Sequence, residues 1–129
     1  MVMVDTSVWI DFFNGQENPH TTRLDDLLSS EIVLIGDIIL AEILQGFKSD
    51  FQFNQAKKAL DSLTCLSICN KEMAIKSAEN YRFLRGKGVT VRKTTDMLIG
   101  TFCIEHHLPL LFSDRDFQPL ADFLDLIPA

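Results

Sequence analysis

The chain has 129 residues, of which 47% are hydrophobic and 23% charged, with a net charge of −6. This is the composition of an ordinary globular protein, and the length predicts one domain, 1–129, burying about two-thirds of its unfolded surface. No stretch approaches the ~20 apolar residues of a membrane span, and the acidic balance disfavours a simple nucleic-acid coater while leaving open a nuclease rich in site carboxylates.

The N-terminus runs straight into Val2-Met-Val-Asp5, without the basic region and long apolar core of a signal peptide, so a cytoplasmic protein is expected. Residues 2–4 read as a buried parallel strand. A short helix over Val8 to Phe13 follows, ended near Asn14-Gly15. Thr21 or Thr22 is expected to cap a helix through Leu24, Leu27 and Leu28 to Ser30. Ile32-Val-Leu-Ile35 is a second strand. Asp37 reads as the N-cap of a helix from Ile38 to Phe47. Residues 52–63 give another helix, and Cys65-Leu-Ser-Ile68 a third strand. Lys71 to Arg85 is a helix with Ala74, Ile75, Ala78 and Tyr81 on one face, closed by Gly86-Lys-Gly88. Thr94 or Thr95 caps a helix through His106 that is apolar nearly all round from Met97 to Ile104, hence buried on several sides. Leu108 to Phe112 is a fourth strand, Asp116 to Phe123 a last helix, and Leu124 to Ile127 a last short strand. Strands and helices alternate throughout, which predicts a three-layer α/β/α sandwich around a central parallel sheet.

Cys65, Cys69 and Cys103 form no C-x-x-C pair, so neither a disulfide framework nor a zinc signature is present, and Cys65 and Cys69 read as small core residues. The adjacent His106 and His107 point about 100° apart on a helix and read as a helix end. Arg82, Arg85, Lys87, Arg92 and Lys93 place five of the twelve basic residues in one short run. That run fits a solvated helix face and loop, or a phosphate-contacting rim, equally well.

Four acids in four separate segments are the main functional signal: Asp5, Glu42, Asp96 and Asp114. Ligand sites in open α/β sheets form beyond the carboxyl ends of the strands. Asp5 follows the first strand and Asp114 the fourth. Asp96 lies in the first turn of the buried helix, where the helix dipole favours an anion. Glu42 stands about one turn from Asp37, which follows the second strand. Two carboxylates ~5 Å apart repel by roughly 3 kcal/mol at an effective dielectric of 20. Four together need a proton or a cation, and carboxylate oxygens without Cys or His select Mg²⁺ or Mn²⁺. Singly, Asp5 reads as an N-cap, Asp96 as a helix-start residue, Asp114-Arg-Asp116 as a capped turn, and Glu42 as a partner for a lysine. The joint pattern outweighs these readings. Glu42, set among Ile38 to Leu44, weighs most, because an unpaired carboxylate there has no structural use.

The segments Val4-Asp5-Thr-Ser7, Ala41-Glu42-Ile-Leu-Gln-Gly46, Thr95-Asp96-Met-Leu-Ile-Gly100 and Leu108-Pro-Leu-Leu-Phe-Ser113-Asp114-Arg-Asp116-Phe117, in this order, resemble the PIN domain, and within it the VapC toxins of toxin–antitoxin systems. The resemblance covers nearly the whole chain. It implies a Mg²⁺- or Mn²⁺-dependent endoribonuclease, with Asp5, Glu42, Asp96 and Asp114 as its catalytic acids. Asp5 and Asp96 are the first metal ligands, and Asp114 joins them directly or through water. Glu42 would bind a metal or orient the attacking water. Ser7 and Ser113 match supporting hydroxyl positions, and Asp116 a more variable acid. The resemblance further implies an RNA substrate, a cognate antitoxin lying near the site, and a homodimer.

A phospho-acceptor receiver domain is disfavoured because Asp5 is followed by Thr6-Ser7 and no lysine follows Lys93; an Asp-nucleophile phosphatase lacks its D-x-D at the same place. A non-catalytic protein- or RNA-binding module on the same fold is the alternative. The aromatics Trp9, Phe12, Phe13, Phe47, Phe51 and Phe53 read as core, with the last three the better candidates for a partner surface.

Overall fold

The computed structural model describes residues 1–129. Four parallel strands, β1 (Val2–Val4), β2 (Val33–Gly36), β3 (Thr64–Leu66) and β4 (Leu110–Leu111), form one sheet in the order β3-β2-β1-β4. β1 pairs with β2 through Val2–Val33 and with β4 through Met3–Leu110. Val2, Met3 and Val4 are all buried, as a central strand covered on both faces requires. Seven helices flank the sheet: α1 (Thr6–Phe13), α2 (Pro19–Ser30), α3 (Asp37–Gln45), α4 (Asp50–Leu60), α5 (Lys71–Gly86), α6 (Thr94–Glu105) and α7 (Gln118–Phe123). The result is the three-layer sandwich that the alternation of elements predicts.

The chain builds outward from β1 to β2 and β3, then returns to place β4 on the other side of β1. The direction of winding therefore reverses between β1 and β4. At such a switch point the connections leave in opposite directions and open a crevice beyond the carboxyl ends of the two strands. Asp5 and Ser113-Asp114 emerge there.

α6 passes through the interior. Met97, Ile99, Gly100, Thr101, Phe102 and Cys103 are all buried, so its apolar residues have no single face to share. Gly100 lets it settle: a Cβ there would run into Leu120 of α7. α5 packs along α6, with Asn80 donating to Thr101 Oγ1 at 3.1 Å.

Several local expectations give way to the structure. α2 is capped not by Thr21 or Thr22 but by Asn18, whose side chain accepts from His20 N and Thr21 N while the Thr21 hydroxyl accepts from Asn18 N. Asp37 is not an N-cap. It lies inside the first turn of α3, and its Oδ1 accepts from Ile38 N at 2.8 Å and Ile68 N at 3.0 Å, tying the chain after β3 to the end of β2. Neither Thr94 nor Thr95 caps α6, which starts after Lys93 without a side-chain cap. α4 runs two to three residues earlier than 52–63, because Ser49 caps it through Gln52 N.

Cys65 and Cys69 are exposed rather than core, because β3 is the edge strand; only Cys103 is buried. α5 turns its Met73, Ser77 and Leu84 inward, leaving Ile75 51% exposed, so the expected face is rotated by about one residue. The last helix is split into a 3₁₀ turn, Arg115–Phe117, and α7. The expected strand 124–127 reduces to a single parallel bridge between Leu110 and Pro128. Trp9, Phe12, Phe13 and Phe47 make an aromatic cluster, with Trp9 stacked on Phe13 at 5.9 Å, whereas Phe51 is 70% exposed.

Candidate active site

Asp5 leaves β1 and becomes the N-cap of α1. Its Oδ2 accepts from the Ser7 hydroxyl at 2.8 Å and from Ser7 N at 3.4 Å. The Ser7 hydroxyl also lies 3.1 Å from the Ser113 hydroxyl, joining the ends of β1 and β4 across the crevice. Capping and site-building are thus the same contact: the turn that starts α1 fixes a carboxylate at 3% exposure above the switch point. Burial raises the Asp5 pKa, the Ser7 hydroxyl and the backbone N–H groups of Thr6 and Ser7 hold it down in part, and Glu42 raises it further.

Glu42 comes from the middle of α3. Its Oε1 accepts from the Thr6 hydroxyl at 2.8 Å. A half-buried carboxylate among aliphatic neighbours gains a donor in this way without a lysine. Thr6, between Asp5 and Ser7, carries a role that no motif reading assigned to it.

Asp96, one turn into α6, is 5% exposed, and no protein group donates to its buried Oδ2. Oxygens of Asp96, Asp114 and Asp116 all lie within 4.8 Å of one another. Asp114 caps the 3₁₀ turn, its Oδ1 accepting from Asp116 N at 2.9 Å, so the Asp-Arg-Asp turn aims two carboxylates at Asp96. Asp116 therefore joins this tight group. Asp5 stands outside it, but its charge acts on Asp96 more than that of any other acid. Burial first, then the Asp5 charge, push the Asp96 pKa up to about 7; Lys93 opposes the shift, and Asp114 and Glu42 add to it.

All the acids that the motifs single out thus face one another electrostatically at one sheet edge. The set fits a divalent cation on chemical grounds. Every donor is a hard carboxylate oxygen, the charges cannot all persist side by side, and one buried oxygen has no donor within the chain. Two basic residues border the site: Lys93, just before α6, and Arg92, whose Nε lies 3.3 Å from Asp116 Oδ2.

Comparison with known proteins agrees with this geometry. A family model described as PIN domain matches residues 2–122. Ribonuclease VapC11 of Mycobacterium tuberculosis is 29% identical over 128 residues, covering 98% of this chain and 96% of that protein. Among solved structures, VapBC2 from Rickettsia felis bound to a DNA fragment from their promoter superposes with a TM-score of 0.78 at 20% identity, covering 100% of this chain and 98% of that one. A toxin–antitoxin complex from Klebsiella pneumoniae superposes with a TM-score of 0.71 at 21% identity, covering 91% and 90%. At these identities the two structural likenesses are likenesses of fold.

Proposed function

The chain belongs to the PIN-domain family, and on that premise we propose that it is a divalent-metal-dependent endoribonuclease, the toxin of a toxin–antitoxin pair, working as one unit over 1–129. The observation that carries the reading is the buried Asp96 carboxylate, with one oxygen that no protein group reaches, set against Asp114 and Asp116 at the switch point of the sheet. A structural role alone would leave such an acid paired or exposed.

Asp96, Asp114 and Asp5 are the proposed ligands for Mg²⁺ or Mn²⁺; Asp116 is proposed to share the task, a reading supported by its oxygen lying within 4.8 Å of those of Asp96 and Asp114. When bound, such an ion offsets charge on the phosphate and lowers the pKa of water held beside it. The chain's own residues do the positioning. Ser7 and Ser113 hold Asp5 and lock the two strand ends together. Thr6 holds Glu42 through one oxygen, leaving the other to orient the attacking water. Hydrolysis joins the water oxygen to phosphorus as the bond from phosphorus to the leaving ribose oxygen breaks; in this proposal Glu42 takes the proton released by the water, and the leaving oxygen takes a proton from solvent. Five carboxylates around the reacting phosphate also repel RNA, so the basic run 82–93 supplies the compensating attraction.

The named relative is a ribonuclease and one structural neighbour is a toxin–antitoxin complex, which support RNA as substrate and an antitoxin as partner. A homodimer is part of the same proposal. No helix is long and apolar enough to cross a membrane; a cytoplasmic location is part of the same proposal and rests on the toxin reading. The test is cleavage of total RNA by the purified chain with Mn²⁺ or Mg²⁺, beside EDTA and Asp96→Asn controls. Cleavage lost in both controls supports the reading; cleavage that survives either one refutes it.

A further inference from the structure

A cavity of about 420 Å³ lies between α5 and the start of α6, more than ten times the ~30 Å³ share of one water in the liquid. Ala74, Ala78, Val91, Met97 and Leu98 give it an apolar floor. Tyr81, the only tyrosine in the chain, contributes an aromatic wall, and Ser77 and Thr94 bring hydroxyls. Arg82 and Arg92 stand at its rim. Arg92 is also the residue that reaches Asp116, so one side chain belongs both to the cavity and to the acidic edge. Thr94 precedes Asp96 by two residues on the same helix.

We propose that this cavity holds a nucleobase of single-stranded RNA adjoining the phosphodiester presented to the acidic edge, an inference that rests on the ribonuclease reading. An apolar floor with an aromatic wall suits a flat ring, and aromatic stacking is a general way to hold bases in unpaired RNA. The rim chooses between a base and an apolar peptide segment. In a chain of net charge −6, five of twelve basic residues fall within 82–93, and two of the five border this cavity. That concentration complements an anionic ligand, and a nucleotide couples the flat ring to the anion. Arg92 then serves as the hinge between them: with RNA absent it pairs with Asp116, and with RNA present it faces the phosphate that links base and scissile bond.

The test is fluorescence anisotropy of the metal-free full chain in EDTA with a fluorescein-labelled single-stranded RNA of about ten nucleotides, over a series of salt concentrations. Tyr81→Ala is expected to weaken binding by about 5- to 100-fold at an unchanged salt slope, and Tyr81→Phe to bind as the wild type does. Ala78→Leu, a good helix former that fills the floor, is expected to weaken binding similarly. Arg92→Ala is expected to reduce the salt slope by about one. Tyr81→Ala and Ala78→Leu both binding within about twofold of wild type, a difference too small for a lost stack, would overturn the base site alone, leaving the nuclease reading intact. The same holds if sedimentation shows that these variants change the assembly state, which would make the cavity a contact between copies. A wild-type chain that binds no RNA in EDTA would overturn the base site; the nuclease reading falls only if total RNA also stays uncut with Mn²⁺ or Mg²⁺.

Discussion

Two sets of carboxylates meet at the sheet edge, and they are held in different ways. Asp5 and Glu42 each accept from a hydroxyl supplied by the first turn of α1, Ser7 for one and Thr6 for the other. Asp96, Asp114 and Asp116 crowd together instead, and Asp96 has an oxygen without a donor and a pKa pushed up to about 7. The first set is satisfied by the chain itself. In the second, Arg92 reaches Asp116 and Asp116 N reaches Asp114, but the buried Oδ2 of Asp96 can be satisfied only by something that is not part of the chain, a proton or a cation. The demand for a cation is therefore concentrated at the start of α6.

The largest effect should come from Asp96. Replacing it by Asn removes the charge that attracts a cation, and cleavage of total RNA should fall by more than about 100-fold, since even residues that only support metal ligands cost 10- to 100-fold. In the metal-free chain above about pH 7 the same change should raise the melting temperature, because it removes a buried charge. A variant that cleaves normally would erase the distinction between the two sets.

Supporting hydroxyls come next. Thr6→Val and Ser7→Ala should each lower activity by about 10- to 100-fold through misplacement of Glu42 and Asp5. An effect as large as that of Asp96→Asn would mean that Asp5 and Glu42 hold the metal as strongly as the Asp96 group does.

The third expectation concerns pH. Asp96 keeps its proton in the folded metal-free chain up to about pH 7, whereas its ordinary value is 3.8. Folding therefore takes up a proton between these values, and the stability present below about pH 4 is lost as pH rises toward 7, by about 1.4 kcal/mol per pH unit at most. Urea unfolding in EDTA at pH 5, 6 and 7 should show this fall, and Asp96→Asn should flatten it.

The smallest expected effect is indirect. Gly100→Ala sets a methyl against Leu120 and should cost about 1–3 kcal/mol. It should shift α6, and with it Asp96, more than Asp5, so metal affinity should fall while the Ser7–Ser113 link persists.

The alternation of elements made the layers legible, and the apolar run 97–104 made α6 a buried helix, because each rests on local patterning. The motif acids stood out for the same reason: each sits where an apolar element begins or ends, or inside one. What stayed hidden depends on neighbours distant in sequence. Thr6 looks like filler between Asp5 and Ser7 until α3 brings Glu42 across to it. Cys65 and Cys69 resemble core residues until strand order makes β3 an edge. Asp37 has the look of a cap, but its partner Ile68 lies 31 residues away. The placement of Asp116 beside Asp96 follows from a turn geometry that Asp114 sets by hydrogen bonding. Arg92 read equally as solvated or phosphate-contacting; its side chain is 77% exposed, and its pairing with Asp116, 24 residues away, was not legible in the sequence.

The most direct test is calorimetric titration of Mn²⁺ into the purified chain, its Asp96→Asn variant and its Thr6→Val variant. The account predicts saturable binding to the wild type, loss of more than about 100-fold in affinity in Asp96→Asn, and a smaller loss, about 10- to 100-fold, in Thr6→Val. Wild-type affinity in Asp96→Asn, or no Mn²⁺ binding to the wild type at all, would contradict it.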